Sequence, residues 1–206
     1  MPENFLVRLQ NSPVLCDGAM GTILYSRGVF INRCYDELNC SQPDLIREIH
    51  HEYLQAGADV VETNTFGANG PRLERHGLGE RVHEINLAGA RLAREAAKSF
   101  DAWVAGSVGP LGIRIEPLGK TSFGEARSYF VRQITALVEG GVDLLILETF
   151  GYLEEIHQAI LAAREVDPEI PVVAQVTIDD DGICLDGSSP ETFAARLTEW
   201  GADVVG

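Results

Sequence analysis

The residues of this chain best suited to chemistry are acidic, and they stand directly after apolar runs. Pro13-Val14-Leu15-Cys16 leads into Asp17-Gly18-Ala19-Met20-Gly21-Thr22. Val60-Val61 leads into Glu62-Thr63-Asn64-Thr65, and Leu145-Ile146-Leu147 into Glu148-Thr149-Phe150. A carboxylate that closes a buried strand and is followed by glycines is a poor core element. It is well placed to hold a cationic group beside exposed backbone N–H donors, which glycine lets a ligand approach closely. Three such strand ends on one rim suggest a site for a small molecule bearing an amine. Ser107 and Gln175 point to the same rim by strand position. Plainer roles are open to each. Asp before Gly is a common turn residue, Glu62 could pair with a structural arginine, and Ser107 and Gln175 could satisfy loop backbone. Glu148 follows four apolar residues, and a lone buried carboxylate is costly without a partner, which favours a role in a site.

The elements that must position these residues alternate. Strands are expected near 13–17, 59–63, 103–107, 143–148, 171–177 and 202–206, with a leading helix or arm over 1–12 and a long loop over 23–40. Ser41 is the expected N-cap of the first main helix, with Pro43 in its first turn, Asp44 three residues on, and Gly57 as its stop. Further helices are expected over 80–99, from Ser122 with Glu125 completing a capping box, over 152–166, and from Ser189-Pro190 to Trp200-Gly201. An internal echo joins Gly57-Ala58-Asp59-Val60-Val61, Gly141-Val142-Asp143-Leu144-Leu145 and Gly201-Ala202-Asp203-Val204-Val205. Each is a helix stop, a tight turn and a buried parallel strand. The alternation predicts an α/β domain over 1–206 with a parallel sheet. A (β/α)8 barrel is favoured over an open doubly wound sheet. No Gly-rich dinucleotide turn follows the first strand, and polar residues sit at the carboxyl ends of many strands instead of at one switch point.

Composition narrows the partners. The chain has 206 residues and a formal charge of −15, from 31 acidic and 16 basic groups. That disfavours a nucleic-acid surface, which needs a basic footprint, and an anionic membrane surface. No apolar run approaches the ~18 residues of a membrane span. The start shows neither a basic n-region nor a long apolar region, so no signal peptide is expected. Cys16, Cys34, Cys40 and Cys184 contain no CxxC pair, which fits reduced thiols and a cytoplasmic protein. Cys16 is expected to be a small core residue, and Cys34 and Cys40 lack partners for a metal role. His50, His51, His76, His83 and His157 are expected on the surface.

Together, the segments 17–22, 53–66 (YLQAGADVVETNTF), 104–112 (VAGSVGPLG), 139–150 (EGGVDLLILETF) and 175–187 resemble the homocysteine S-methyltransferase family. The ETNTF wording is similar to the methylfolate-using branch, not the betaine branch. The short loop after Pro110 is most similar to bacterial proteins that fuse this domain to a methylenetetrahydrofolate reductase. The resemblance implies a (β/α)8 TIM barrel, of which this chain carries the first six βα units. It implies homocysteine as methyl acceptor, zinc held by cysteine thiolates, and 5-methyltetrahydrofolate as a candidate donor, with methylcobalamin, S-methylmethionine and betaine also open because all serve as donors in the family. Methionine would form by attack of the zinc thiolate on the activated methyl group. Asp17 and Glu148 match the positions that bind the ammonium, with backbone N–H groups from Gly18 to Gly21 available to the carboxylate and Gly18 and Ala19 in the expected substrate-binding set. Glu62, Thr63, Asn64, Thr65 and Ser107 complete the expected substrate-binding set, Asn64 and Thr65 toward the donor or its carrier.

No catalytic residue and no metal ligand is assigned within this chain. The family's zinc ligands lie in a Gly-x-Asn-Cys sequence after the sixth strand and in a later Cys-Cys pair, beyond Gly206. Activity is therefore expected only with a C-terminal continuation, one candidate for which is a reductase domain. Two other readings stand beside this one. A non-catalytic amino-acid-binding module would keep the amine pocket alone. A phosphate-binding barrel isomerase or aldolase would need a Gly-rich phosphate loop and usually a catalytic lysine, but Lys98 and Lys120 are the only lysines and neither ends a strand.

Overall fold

A computed structural model describes residues 4–180 and 182–206. Residues 1–3 of the expected leading arm, and Asp181 within the 175–187 segment, lie outside the described residues. Strands β1 (Val60–Glu62), β2 (Trp103–Val108), β3 (Leu144–Phe150), β4 (Val172–Val176) and β5 (Val204–Val205) pair in parallel in chain order. The order has no reversal, so the sheet lacks the switch point at which an open doubly wound fold places its ligand. The segment expected as a strand at 13–17 lies beside β1 but makes a single bridge, Cys16 to Val60. Asp17 N–H donates to the Val60 carbonyl at 2.9 Å and Val60 N–H to the Leu15 carbonyl at 3.1 Å. Pro13 has no N–H to extend this ladder, and the Leu15 N–H goes to the Asp59 carboxylate at 2.8 Å.

The helices are α1 (Phe5–Asn11), α2 (Met20–Ser26), α3 (Leu38–Ser41), α4 (Pro43–Gln55), α5 (Gly70–Glu74), α6 (Val82–Ala97), α7 (Phe123–Glu139), α8 (Leu153–Val166) and α9 (Pro190–Glu199). None is long and apolar enough to cross a membrane. The two faces of the sheet have different partners, as the two-residue period of a strand requires. One face gathers Val60, Trp103, Ala105, Leu144, Ile146 and Val173, and α1 covers it with Phe5, Leu6 and Leu9. Phe5 meets Trp103 edge-on, with ring centroids 5.8 Å apart. The other face packs on the helices: Leu145 and Leu147 against α7 and α8, Val61 and Val104 against α4 and α6.

The echo seen in the sequence is a structural device. Gly57, Gly141 and Gly201 all have positive φ, at 104°, 88° and 92°, a conformation that glycine takes without a Cβ penalty. The aspartate two residues later reaches across to the start of the preceding segment. Asp59 accepts from Leu15 N–H, Asp143 from Val104 N–H and Asp203 from Val172 N–H, each at 2.8 Å. In two of the three an arginine completes the clamp. Arg94 pairs with Asp143 at 2.5 Å and Arg164 with Asp203 at 2.7 Å, and each also donates to the glycine carbonyl.

Several expectations are corrected. The 23–40 segment is not one loop: it carries the second half of α2, and α3, because Leu24 and Leu38 insert between α4 and α6 in a cluster with Ile46, Ile49 and Leu92. Ser41 does not cap α4. It ends α3 and donates to Glu37 at 2.8 Å, while Gln42 precedes α4 without a side-chain cap. The helix expected from 80 begins at Val82, after a 3-10 turn at Gly79–Arg81. Helix α5 was not signalled by apolar periodicity; Asn69 caps it, accepting from Arg72 N–H at 3.1 Å. Cys16 is exposed, not a core residue.

His50 is fully buried in α4, not on the surface. Neither ring nitrogen has a hydrogen-bond partner among the described residues. Burial alone pushes its pKa down to about 4. The sign follows directly: between about 6.5, where an unfolded histidine titrates, and about 4, only the unfolded chain takes up the proton. This term therefore destabilises the fold as pH drops through that window and is constant below it. Replacing His50 by leucine removes the term together with an unsatisfied polar ring. The stability difference between His50→Leu and wild type should grow by about 3 kcal/mol in favour of the variant from pH 7 to pH 4, read by denaturant unfolding at each pH.

Candidate functional site

The period of the strands places the acidic residues. On the face that holds Val60, Trp103, Ala105, Leu144 and Ile146, the next inward positions are Glu62 on β1, Ser107 on β2 and Glu148 on β3. The register sets Glu62 beside Ala105 and Ser107 beside Ile146, so all three stand at the carboxyl ends, one layer above the apolar interior. Asp17 joins from the neighbouring segment, its Oδ2 accepting from Glu62 N–H at 3.1 Å. The Ser107 hydroxyl donates to Glu148 Oε1 at 2.6 Å.

Asp17, Glu62 and Glu148 make no ion pair among the described residues. Burial, together with the negative charge of Glu148, pushes Asp17 up to about 7 against the pull of two backbone N–H donors. Glu62 is raised well above the usual carboxylate range, first by burial and then by the charges of Glu148 and Asp17. Like charges on a shared, partly desolvated site shift each other in this way. The arrangement is high in energy without a cation and is suited to receiving one.

All the sequence-predicted residues Asp17, Gly18, Ala19, Glu62, Thr63, Asn64, Thr65, Ser107 and Glu148 line one cavity of about 590 Å³. Gln175 does not line it. Their polar atoms are committed to different degrees. The hydroxyls of Thr63 and Thr65 lie 2.6 Å apart, Thr65 donates to the Ser107 carbonyl at 2.8 Å, and Thr63 accepts from Ser107 N–H at 3.0 Å. These two threonines brace β1 to β2. Asn64 donates to the Tyr35 carbonyl at 2.7 Å and to Asn39 Oδ1 at 3.1 Å, tying the 27–40 segment to the rim. Gly18 is required by its neighbour: a Cβ there would come within 2.9 Å of the Tyr53 hydroxyl, which donates to the Ala19 carbonyl at 3.2 Å. Ala19 precedes α2 without a side-chain cap. The first-turn N–H groups of Met20, Gly21 and Thr22 carry no acceptor among the described residues.

Other residues at the cavity were not anticipated. Thr149 has φ 64°, the left-handed region that a β-branched residue rarely enters. It sits where the pairing of β3 with β4 shifts between Leu147 and Phe150. It also lines a second cavity of about 820 Å³, walled by Ile113, Ile115, Leu118, Tyr152 and Leu185. Asp36, Arg33, Arg72 and His76 line the first cavity as well. The only sequence signal for Arg72 is its place three residues after Asn69, the cap of α5.

The cysteines do not build a thiolate metal centre. Among the described residues no three His, Cys, Asp or Glu side chains converge as ligands. The acids of the cavity are hard oxygen donors, and Cys34 is the one cysteine among its lining residues, so the thiolate set that the resemblance implies is not assembled here. The residues present do not fit the zinc that the family resemblance implies.

Comparison with known proteins agrees with this geometry. Residues 14–206 match the sequence profile of Homocysteine S-methyltransferase. The chain is 32% identical to methionine synthase of Mycobacterium tuberculosis, over 92% of this chain and 17% of that protein. It is 35% identical to betaine–homocysteine S-methyltransferase 1 of Danio rerio, over 94% of this chain and 48% of that one. It thus spans less than half the length of these curated relatives. The crystal structure of the metallated homocysteine methyltransferase MmuM of Escherichia coli superimposes with a TM-score of 0.85 at 25% identity, covering 99% of this chain and 77% of that one. The parallel sheet in sequential order, the cavity at its carboxyl ends and the match over residues 14–206 lead to one statement: the chain belongs to the homocysteine S-methyltransferase family.

Proposed function

We propose that this chain is the homocysteine-binding part of an S-methyltransferase that forms methionine, built on a (β/α)8 barrel. One observation carries the reading: Asp17, Glu62 and Glu148 crowd the wall of one cavity with no cationic partner among the described residues. The ammonium of an amino acid supplies that partner. Its carboxylate is met by the unpaired N–H groups that open α2, where the helix end favours negative charge. The side-chain sulfur then lies in the remaining cavity. Methyl transfer is a displacement: the thiol gives its proton to solvent, a sulfur–carbon bond forms as the donor–methyl bond breaks, and the electron pair of the broken bond stays on the donor. What this chain contributes is position and electrostatics. Zinc would turn the thiol into a thiolate when bound, but no ligand set for it stands among the described residues, and no step here runs through it.

The donor is read as 5-methyltetrahydrofolate from the ETNTF wording of residues 62–66. The relatives include both a methionine synthase and a betaine enzyme at similar identity, so the donor rests on that wording alone. The continuation of the chain, and a reductase domain within it, belong to the same proposal.

Isothermal titration of the protein with homocysteine tests the reading. Glu148→Gln and Asp17→Asn should each weaken binding by about 10- to 100-fold, the loss of one charge-assisted contact. Unchanged affinity in both variants would remove the amine pocket. Because Asp17 titrates near 7, binding near neutral pH should release protons, seen as a dependence of the measured heat on the buffer's ionisation enthalpy.

The acids also cost the empty protein stability. A carboxylate whose folded pKa is raised holds a proton that the unfolded chain has released. Stability therefore falls as pH rises from the unfolded value through the folded one. Glu62→Gln should raise the unliganded melting temperature at pH 8 by a few degrees, at about 2–4 °C per kcal/mol, and should leave it unchanged at pH 4. An equal shift at both pH values would show that charge is not the cause.

A further inference from the structure

Arg72 lines the same cavity as the acids, yet it plays no part in holding them. The charge of Glu148 acts on both Asp17 and Glu62, and that of Asp17 on Glu62. The charges acting on Arg72 are those of Asp36, Arg75 and Glu155. Among the described residues no ion pair joins the arginine to Asp17, Glu62 or Glu148.

The guanidinium is held in place without being paired. Its Nε donates to the Pro110 carbonyl at 2.7 Å, and its Cζ lies 5.2 Å from the centre of the Phe66 ring. The Arg72 backbone N–H is fixed by Asn69. Its two terminal nitrogens have no acceptor, and it forms no ion pair, among the described residues. The carboxylates nearest in influence are engaged elsewhere: Asp36 accepts from Gly67 N–H at 2.9 Å and Glu155 from Leu111 N–H at 2.8 Å. They balance part of the arginine's charge at range and leave its donors free. A half-buried cation with a fixed plane and two free parallel donors has the geometry for bidentate carboxylate recognition.

We infer that Arg72 anchors a carboxylate carried by the methyl donor, and so selects carboxylate-bearing donors. The inference rests on the reading that the acids and the α2 N–H groups hold homocysteine, which leaves this cation for the second substrate. The cavity is about 590 Å³, within the range that encloses a drug-sized ligand and more than homocysteine alone fills. A monoanion suits the corner better than phosphate, because Asp36 and Glu155 already place negative charge beside Arg72.

The test compares Arg72→Gln and Arg72→Lys with wild type in the complete gene product, because activity is expected only with the C-terminal continuation. Three donors are used, 5-methyltetrahydrofolate, S-methylmethionine and glycine betaine, each beside its carboxamide. For the donor that the wild type accepts, Arg72→Gln should raise KM about tenfold or more and bring acid and amide to near-equal KM. The homocysteine Kd and kcat should stay within about threefold, since neither depends on the anchor, and Arg72→Lys should recover part of the preference for the acid. The inference is overturned if acid and amide suffer equally, if neither changes, or if Arg72→Gln loses homocysteine binding together with its melting temperature, which would make the arginine a strut for the 110–112 loop. If the wild type does not bind homocysteine, the reading of the acids has failed on its own. Titration with acetate and with phosphate, followed on the 15N-labelled arginine side chains, then decides the anchor: a saturable acetate shift at Arg72, absent in Arg72→Gln, supports a carboxylate site, whereas no shift, or tighter phosphate binding, overturns it.

Discussion

The site depends on a repulsion. Two unit charges ~4 Å apart near a protein surface interact by about 4 kcal/mol, and burial adds to the cost of each. Asp17 and Glu62 are held back from ionising by burial and by the neighbouring negative charge, and their raised pKa values are the form that this constraint takes. Among the described residues no lysine or arginine pairs with these acids. The protein offers a hydroxyl to Glu148 and a backbone N–H to Asp17, enough to orient the groups but not to neutralise them. A cation placed among these groups would let Asp17 and Glu62 lose their protons, which is the basis of the proposed amine pocket.

Such a cluster needs exact register, since it is assembled from separate segments. A slip of one residue in any strand would turn its acid to the helical face. The aspartate clamps at the opposite end of the sheet guard against that. Asp59, Asp143 and Asp203 each bind an N–H at or near the start of the preceding segment, so the entries of β1, β3 and β5 are measured against their neighbours. Arg94 and Arg164 add the carbonyl of the glycine turn to the same contact. Amino-terminal clamps and carboxyl-terminal acids are therefore two ends of one arrangement: the clamps fix the height at which Glu62, Ser107 and Glu148 emerge.

Much of this was legible because it is local. The Gly-x-Asp echo marks helix stop, turn and strand in five residues, while the clamp made by its aspartate shows only in the fold. Ser122 and Ser189 cap α7 and α9 as their spacing predicts, and an acid after an apolar run marks a strand's carboxyl end. What escaped is tertiary. His50 looks like one of a polar pair, but the α4 face formed by Ile46, Ile49 and Leu54 carries it inward. Cys16 follows three apolar-reading residues, yet its segment makes one bridge and leaves it exposed. The helices inside the 23–40 segment are too short for periodicity to reveal, and only the placement of Leu24 and Leu38 beneath α4 explains them. Arg72 stands in a stretch of ordinary helix-start residues, and nothing local says that its guanidinium faces a cavity.

The end of β3 shows why the sequence period failed at the place that matters most for the site. Leu145 and Leu147 pack on the helical side, and Leu144 and Ile146 on the inner side. Strict alternation would send Thr149 toward the helices and Phe150 inward. Instead Phe150 lies in the helical cluster with Leu145 and Leu147, its ring centroid 6.0 Å from that of Phe130. The strand has taken up one extra residue between Leu147 and Phe150, as the break in its pairing with β4 records. Thr149 absorbs the misfit with its positive φ, a conformation that costs of order 1–3 kcal/mol for such a residue. The burial of Phe150 in the larger cluster holds the bulge in place. The result is that Glu148 and Thr149, neighbours in sequence that a regular strand would turn to opposite faces, both line the first cavity, and Thr149 reaches the second as well. A strand that ran true would have kept the acid and lost the junction between the two cavities.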